Sequence, residues 1–454
     1  MSKQNARPVD LTADLPACGN MRGVSFSEVP AHSMPPLALV RQRFGHAPPV
    51  AWHERLRSTS FGSLGDLRGK RIALGVGSRG ISGLRECIRA LVKHLCAQGA
   101  RPFLVPAMGS HGGAEAAGQR AVLATYGINT QSVCLPDDAL DDSMDVALLG
   151  HTSFGPVYFS QAALNSDGII VVNRVKPHTD FRGALGSGLA KMLVVGLGKQ
   201  AGAGAIHRAA ALAGHEQVIR ASLQVILNSA PVLGGLALIE NAHHETTHVE
   251  FVPAASLATR EPELLHMADA QLARLPFAEL DLLIVDRLGK DISGTGMDPN
   301  VVGRGINGYS SELTHRPANG PIIRRIFVRE LTPASHGNAS GIGMADFTTQ
   351  RFVEAIDNTV TFTNSLTSLS LQSAKLPIHF ANDERALAAI FTTLGVKDLM
   401  QAKVARIEST LALEQMQASP AALATATNLD VLSLPRPFSF DRFGNLLALD
   451  AALA

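Results

Sequence analysis

A chain of 454 residues exceeds what one hydrophobic core usually serves, so two domains of roughly 150 to 250 residues each are expected. Forty Lys and Arg stand against 39 Asp and Glu, a formal charge of +1 with no long run of either sign; this argues against nucleic acid or a membrane surface and favours a small neutral or anionic ligand. Cys18, Cys87, Cys96 and Cys134 show no CxxC spacing, against a disulfide framework or zinc knuckle, and with neither an apolar leader nor a run of about 18 apolar residues a soluble, cytoplasmic protein is expected, its first residues a loose arm.

Residues 37–44 (LALVRQRF) read as an early strand, followed by a connection around Pro48 and Pro49. The run KRIALGVGSR (70–79) is an apolar strand that breaks at glycines and ends on Ser78 and Arg79. Behind it SGLRECIRALVKHLCAQGA has helical apolar spacing, a serine start and a glycine stop, and PFLVPAMGSHGG is a second strand running into a turn. Strand, polar loop, helix, strand is the unit of a parallel sheet, whose ligands gather outside the carboxyl ends of the strands. Arg79 and His111 lie at two such ends. Arg79 reads equally as a surface arginine on a turn, whereas Ser110 and two glycines make an unnatural setting for a buried structural His111.

A further helix (AEAAGQRAVLATYG), an acidic loop and a strand around ALLG lead to residues 171–207, VVNRVKPHTDFRGALGSGLAKMLVVGLGKQAGAGAIH. There a strand feeds a loop with His178, a glycine-rich turn, a lone Lys191 among apolar residues, and His207. Residues 208–230 read as an Ala-rich helix and PVLGGLALIEN as a strand. His243, His244 and His248 invite a metal, but a spacing of four serves ligation only on a helix, and the Thr and Val content reads as a solvated hairpin. A charged amphipathic helix over 260–279 precedes LDLLIVDRL, a fresh α/β unit. The boundary is therefore set so that 1–272 form an N-terminal α/β domain and 273–454 a C-terminal one closing a cleft over it. The loop GKDISGTGMDPNVVGRGING offers Asp298, Asn300 and Arg304 to that cleft, and matches neither GxGxxG nor GxxxxGK[ST]. Further on, PIIRRIFVREL is a strand and ALAAIFTTLG a helix; 358–375 reads as a polar helix or paired strands, and 411–426 as a surface helix.

His111 and His178, each on a loop after a strand, suit proton transfer near neutral pH, and two of them facing one carbon would serve either side of it. Lys191 is either a desolvated amine tuned towards nucleophilicity or a lysine snorkelling from a helix. The glycines before it, Gly183, Gly186 and Gly188, allow close backbone approach, and N–H groups there would cradle a phosphate.

Taken in order, Arg79, GSHGG with His111, VKPHTDF with His178, the glycine-rich run to Lys191, His207 and GTGMDPNVVGRG resemble the nickel-dependent lactate racemase family over most of residues 70–310. The resemblance implies mainly parallel sheets in both α/β domains and an active site in the cleft. It implies a nickel-pincer nucleotide, the nickel complex of pyridinium-3-thioamide-5-thiocarboxylic acid mononucleotide, tethered to Lys191, with Ser187 and Gly188 beside it. His207, 16 residues on (207 minus 191), would bind nickel. His111 and His178 would be the acid/base pair on either side of a 2-hydroxy acid, Arg79 would pair with the substrate, and cofactor-biosynthesis proteins would be partners. Hydride would pass from Cα to the cofactor's pyridinium ring and return to either face. Three departures stand out: Val76 replaces an aspartate, the span from His178 to Lys191 is 13 residues (191 minus 178) and a few longer, and VVGRGI replaces a tyrosine, a glutamine and a lysine. They point to a hydroxy acid other than lactate, with Arg304 as the substitute cation. Two rival readings stand beside this one: a zinc or iron hydrolase or lyase using His111, His178 and His207, and a non-catalytic carrier of the nucleotide, for which two histidine bases have no use.

Overall fold

The computed structural model describes residues 29–61, 64–78, 80–179, 183–305 and 320–449; the expected N-terminal arm and Arg79 lie outside these residues. The chain opens with β1 (Ala38–Gln42) and α1 (Trp52–Ser58), then runs β2 (Arg71–Val76), α2 (Leu84–Ala97), β3 (Arg101–Pro106) and α3 (Ala116–Thr125). A hairpin of β4 (Val146–Thr152) and β5 (Gly155–Ser160) precedes α4 (Gln161–Leu164) and β6 (Gly168–Arg174). Next come α5 (Leu189–Lys191), a π-helical turn over Met192–Gly196, α6 (Lys199–Ala213), α7 (His215–Ser229), β7 (Val232–Glu240), β8 (Thr246–Pro253) and α8 (Leu257–Gln271). The rest holds β9 (Glu279–Leu288), α9 (Pro299–Val302), β10 (Ile322–Leu331), β11 (Phe347–Thr349), β12 (Ile378–Phe380), β13 (Val404–Ser409), β14 (Ala412–Ala418) and β15 (Leu429–Val431).

Two mainly parallel sheets make this an α/β protein. The first has the order β3-β2-β6-β7-β8, parallel except for the antiparallel edge strand β8. Its strands read as continuous apolar runs because both faces are covered, as a parallel sheet with helices on each side requires. Ala73, Ile169 and Val171 point into one core with α4 to α8, and Ile72, Leu74, Val76, Ile170 and Val172 into the other with α2 and α3. Each Val, Leu or Ile among them contributes roughly 1.5–3 kcal/mol by burial, so these central strands are the rigid base for whatever follows their carboxyl ends. Among the described residues no helix is long and apolar enough to cross a membrane.

The second sheet has the order β12-β11-β10-β9-β13-β14-β1-β15, parallel from β12 to β13 and antiparallel beyond. The early strand β1 thus pairs with β14 and β15, although the division at 272 groups it with the first sheet. The chain passes between the sheets at 43–51 and again between α8 and β9. The β7–β8 turn clasps the first crossing: Asn241 Nδ2 donates to Gly45 O at 3.0 Å, and the Ala47 N–H donates to Glu245 at 2.7 Å.

Two local expectations change, and one open case closes. The helix read over 208–230 is two helices, α6 starting at Lys199 and α7 at His215, broken at Gly214 with φ of 81°. The surface helix read over 411–426 is instead β14 and a short helix, Pro420–Leu423, because Leu413, Met416 and Ala418 bury into the sheet and pairing with β1 and β13 overrides helical propensity. The open case at 358–375 resolves as a helix, Asn358–Thr367, and a 3₁₀ turn, Leu371–Ala374. The histidine-rich segment is the β7–β8 hairpin, as its composition indicates.

Candidate functional site

Strand β6, buried along most of its length, ends at Arg174 and delivers Lys176 and His178 from its carboxyl end. Two backbone hydrogen bonds of 2.9 Å between Lys176 and Ser187 close the neck of the intervening loop, bringing the chain back to start α5 beside the strand it left. Leu189, Ala190, Leu193 and Val194 sink into the core, which leaves Lys191 half-buried at the rim. Its Nζ lies against His178 Nε2. The π-turn after it widens the helix by one residue, a feature common at functional sites.

Helix α6 brings His207 to the same place, and the break at Gly214 turns the chain so that His215 starts α7 beside it, ring centroids 5.9 Å apart and nearly perpendicular. Burial, then the Lys191 charge and the neighbouring imidazoles, holds His178 well below the ordinary histidine value. Burial with Lys191 lowers His207 to about 4, and burial with His207 and Lys191 lowers His215 to about 3. Near neutral pH all three are neutral imidazoles, fit to accept a proton or donate a lone pair to a metal.

These shifts have a consequence for stability. Below about 6.5 the unfolded histidines take up protons that the folded ones refuse, so stability is full above that value and falls as pH drops towards the folded values. Glu261, raised to about 7 by burial, acts oppositely between 4.5 and 7, and one carboxyl offsets only part of what three histidines lose. We expect the denaturant midpoint to fall steadily between about pH 6.5 and pH 4, and His215→Gln to flatten that slope. An equal slope in the variant would contradict the buried cluster.

His111 follows β3 and is exposed, with Nδ1 at 3.0 Å from Ser78 Oγ. Its loop is tied to the π-turn, since the Gly109 N–H donates to Gly196 O at 3.0 Å. It is tied again through Gln119, whose Nε2 donates to Gly109 O at 2.9 Å and His111 O at 3.2 Å, while buried Lys199 donates to Pro106 O at 2.8 Å and Gln119 Oε1 at 3.3 Å.

From the second sheet, Asp298 caps α9, accepting from Asn300 N at 2.9 Å and Asn300 Nδ2 at 2.8 Å, and its other oxygen lies 3.9 Å from Lys176 Nζ. This contact brings the glycine-rich loop of the second half to the strand end carrying His178. Asn300 itself is buried. Arg304, expected as a cation for substrate, is committed elsewhere: its guanidinium bonds Asp346 at 2.7 Å and the carbonyls of Met344, Ile323 and Arg324. That geometry clamps α9 to β10 and leaves Lys176 as the nearer charge.

Beside Gly188, one of the two residues expected next to the cofactor, the backbone is already engaged. The Ala190 N–H already donates to Glu261 Oε2 at 2.7 Å, and a Cβ on Gly188 would lie 2.0 Å from Glu261 Oε1. An internal carboxylate takes the place a phosphate would take. Glu261, His215 and Lys176 were all missed in the sequence: Gly214 was the signal for His215, masked by an Ala-rich run, and nothing local marks Glu261 as facing Gly188.

No protein-family model and no curated protein matches the chain. Among solved structures, the lactate racemase apoprotein from Thermoanaerobacterium thermosaccharolyticum is similar over 83% of this chain and 99% of its own, with a TM-score of 0.47 and 11% sequence identity.

Proposed function

We propose that the protein racemises or epimerises a 2-hydroxy acid other than lactate, with a nickel-pincer nucleotide tethered to Lys191 and His207 as its nickel ligand. The observation that carries this reading is the meeting of Lys191 with His178, beside His207 and His215, in a setting that keeps the imidazoles neutral. The residues fit such a group in part. A primary amine is present for a covalent link, and a neutral imidazole is a good nickel donor. Among the described residues no three His, Cys, Asp or Glu side chains are placed to hold a metal by themselves. That favours a metal whose other donors arrive with a bound group over the zinc or iron reading with three protein ligands. The nucleotide phosphate must lie elsewhere than Gly188, where Glu261 sits.

When bound, the group supplies an acceptor for hydride from the substrate Cα. The chain's own residues do the rest. Neutral His178 takes the hydroxyl proton at Nε2, the atom that faces Lys191. His111, held by Ser78 Oγ at its Nδ1, would act at Nε2 as the second acid/base group, on the other side of the substrate. Lys176, restrained by Asp298, supplies positive charge for the substrate carboxylate.

The test is protein produced beside the cofactor-building enzymes and assayed by chiral separation against a panel of 2-hydroxy acids. Interconversion of at least one acid other than lactate is expected. Protein whose mass confirms the adduct but which interconverts none, or lactate alone, would overturn the reading.

A further inference from the structure

Glu261 is a fully buried acid on α8 that none of the steps above uses. One oxygen accepts the Ala190 N–H at 2.7 Å; the other has no hydrogen-bond partner and presses on Gly188, where a Cβ would come within 2.0 Å. The same glycine is gripped from two further sides, its carbonyl accepting from Asn173 Nδ2 at 3.2 Å and from Met192 N at 3.1 Å. Burying a carboxyl with an unpartnered oxygen is costly, and a protein that keeps one at a turn next to a reactive amine holds that turn by it. The opposing charge that acts on it is Arg220 on α7, which bonds Glu216 and also donates at 3.4 Å to Ala258 O, the carbonyl whose helical donor Pro262 lacks.

The geometry points to Glu261 as the positioning residue for Lys191: its carboxyl seats the Gly188–Ala190 backbone, and that seat aims the lysine at His178 instead of letting it swing to solvent. This rests on Lys191 being the tether proposed above. Burial raises Glu261 to about 7, so an uncharged acceptor in its place should hold the seat nearly as well.

The experiment is limited reductive methylation of the protein made without cofactor, with Lys191 and Lys199 followed by peptide mass spectrometry. Lys199 is buried in the same half and reports general loosening. In Glu261→Ala we expect Lys191 to be methylated at least about fivefold faster while Lys199 is unchanged, as local opening of one turn requires, and Glu261→Gln to restore the original rate. An unchanged Lys191, or Lys191 and Lys199 rising together, overturns the proposal. Should Glu261→Ala fail to fold, Gly188→Ala displaces the same carboxyl from the other side and carries the same expectation. Should that fail too, hydrogen exchange of the Ala190 amide in the unsubstituted protein decides: slow exchange supports the seat, and exchange at the rate of an open loop overturns it. No cofactor enters these measurements, so their failure is distinct from failure of the racemase reading, which the adduct mass and the chiral assay decide.

Discussion

Lys191→Met protein from a host that makes the cofactor is expected to show no added mass and to lose at least about a thousandfold in turnover. The side chain that would form the tether is gone, and with it the local concentration that a covalent link provides. The substitution should leave the fold intact. Lys191 is half-buried beside Leu189, Ala190, Leu193 and Val194, so an unbranched apolar side chain of similar length costs less than about 1.5 kcal/mol of stability. In protein made without cofactor, where Lys191 keeps its ammonium, the substitution should also change His178: with that charge removed, the imidazole rises towards its ordinary value, although burial, the larger cause, still holds it down. Intact-mass spectrometry reads the first effect and histidine proton resonances across pH the second. A full-mass adduct on Lys191→Met protein would refute the tether outright. An unmoved His178 would refute the contact.

The first sheet was legible because its strands are buried on both faces and therefore write themselves as apolar runs ending in polar loops; Ile169 to Val172 is the clearest case. His178 was legible as a residue of the loop after an apolar strand, whereas Lys191 and His207 ride on α5 and α6, whose bounds the sequence pattern did not show. What failed to read was whatever depends on a partner far along the chain. β1 shows its strand character but not that Leu39 lies opposite Gln417, and β14 carries helix-favouring residues that only that pairing makes extended. Arg304 looked available because a glycine-rich loop exposes its residues in the sequence, whereas Asp346 and three carbonyls from β10 and its surroundings claim it in space. Gly188 is the sharpest example: a glycine needed for close approach was rightly read as such, and the atom approaching is an oxygen of Glu261, 73 residues on (261 minus 188).

His178→Gln should keep the adduct on Lys191 and lose about a hundredfold to ten-thousandfold in racemisation, the usual worth of a general base. The glutamine fills the same space beside Lys191 but cannot take a proton. The pH profile of the unsubstituted enzyme carries the sign of the argument. Burial, the larger cause, holds His178 below the ordinary value of 6.5 even when the tether removes the Lys191 charge, so it remains an unprotonated base as pH falls from neutrality through 6.5 and loses that form only at lower pH. The acid limb of kcat/KM should therefore lie below 6.5; a limb at or above about 6.5 would mean that a different, exposed group is the base. His111→Gln offers the complementary measurement. If the two histidines serve opposite enantiomers, each variant still converts to keto acid the enantiomer that its remaining histidine serves. Trapping that keto acid from each pure enantiomer in turn should give opposite selectivities for His111→Gln and His178→Gln. The same selectivity in both variants would place the two histidines on one side of the substrate, and Ser78 would then orient His111 for a role other than proton transfer.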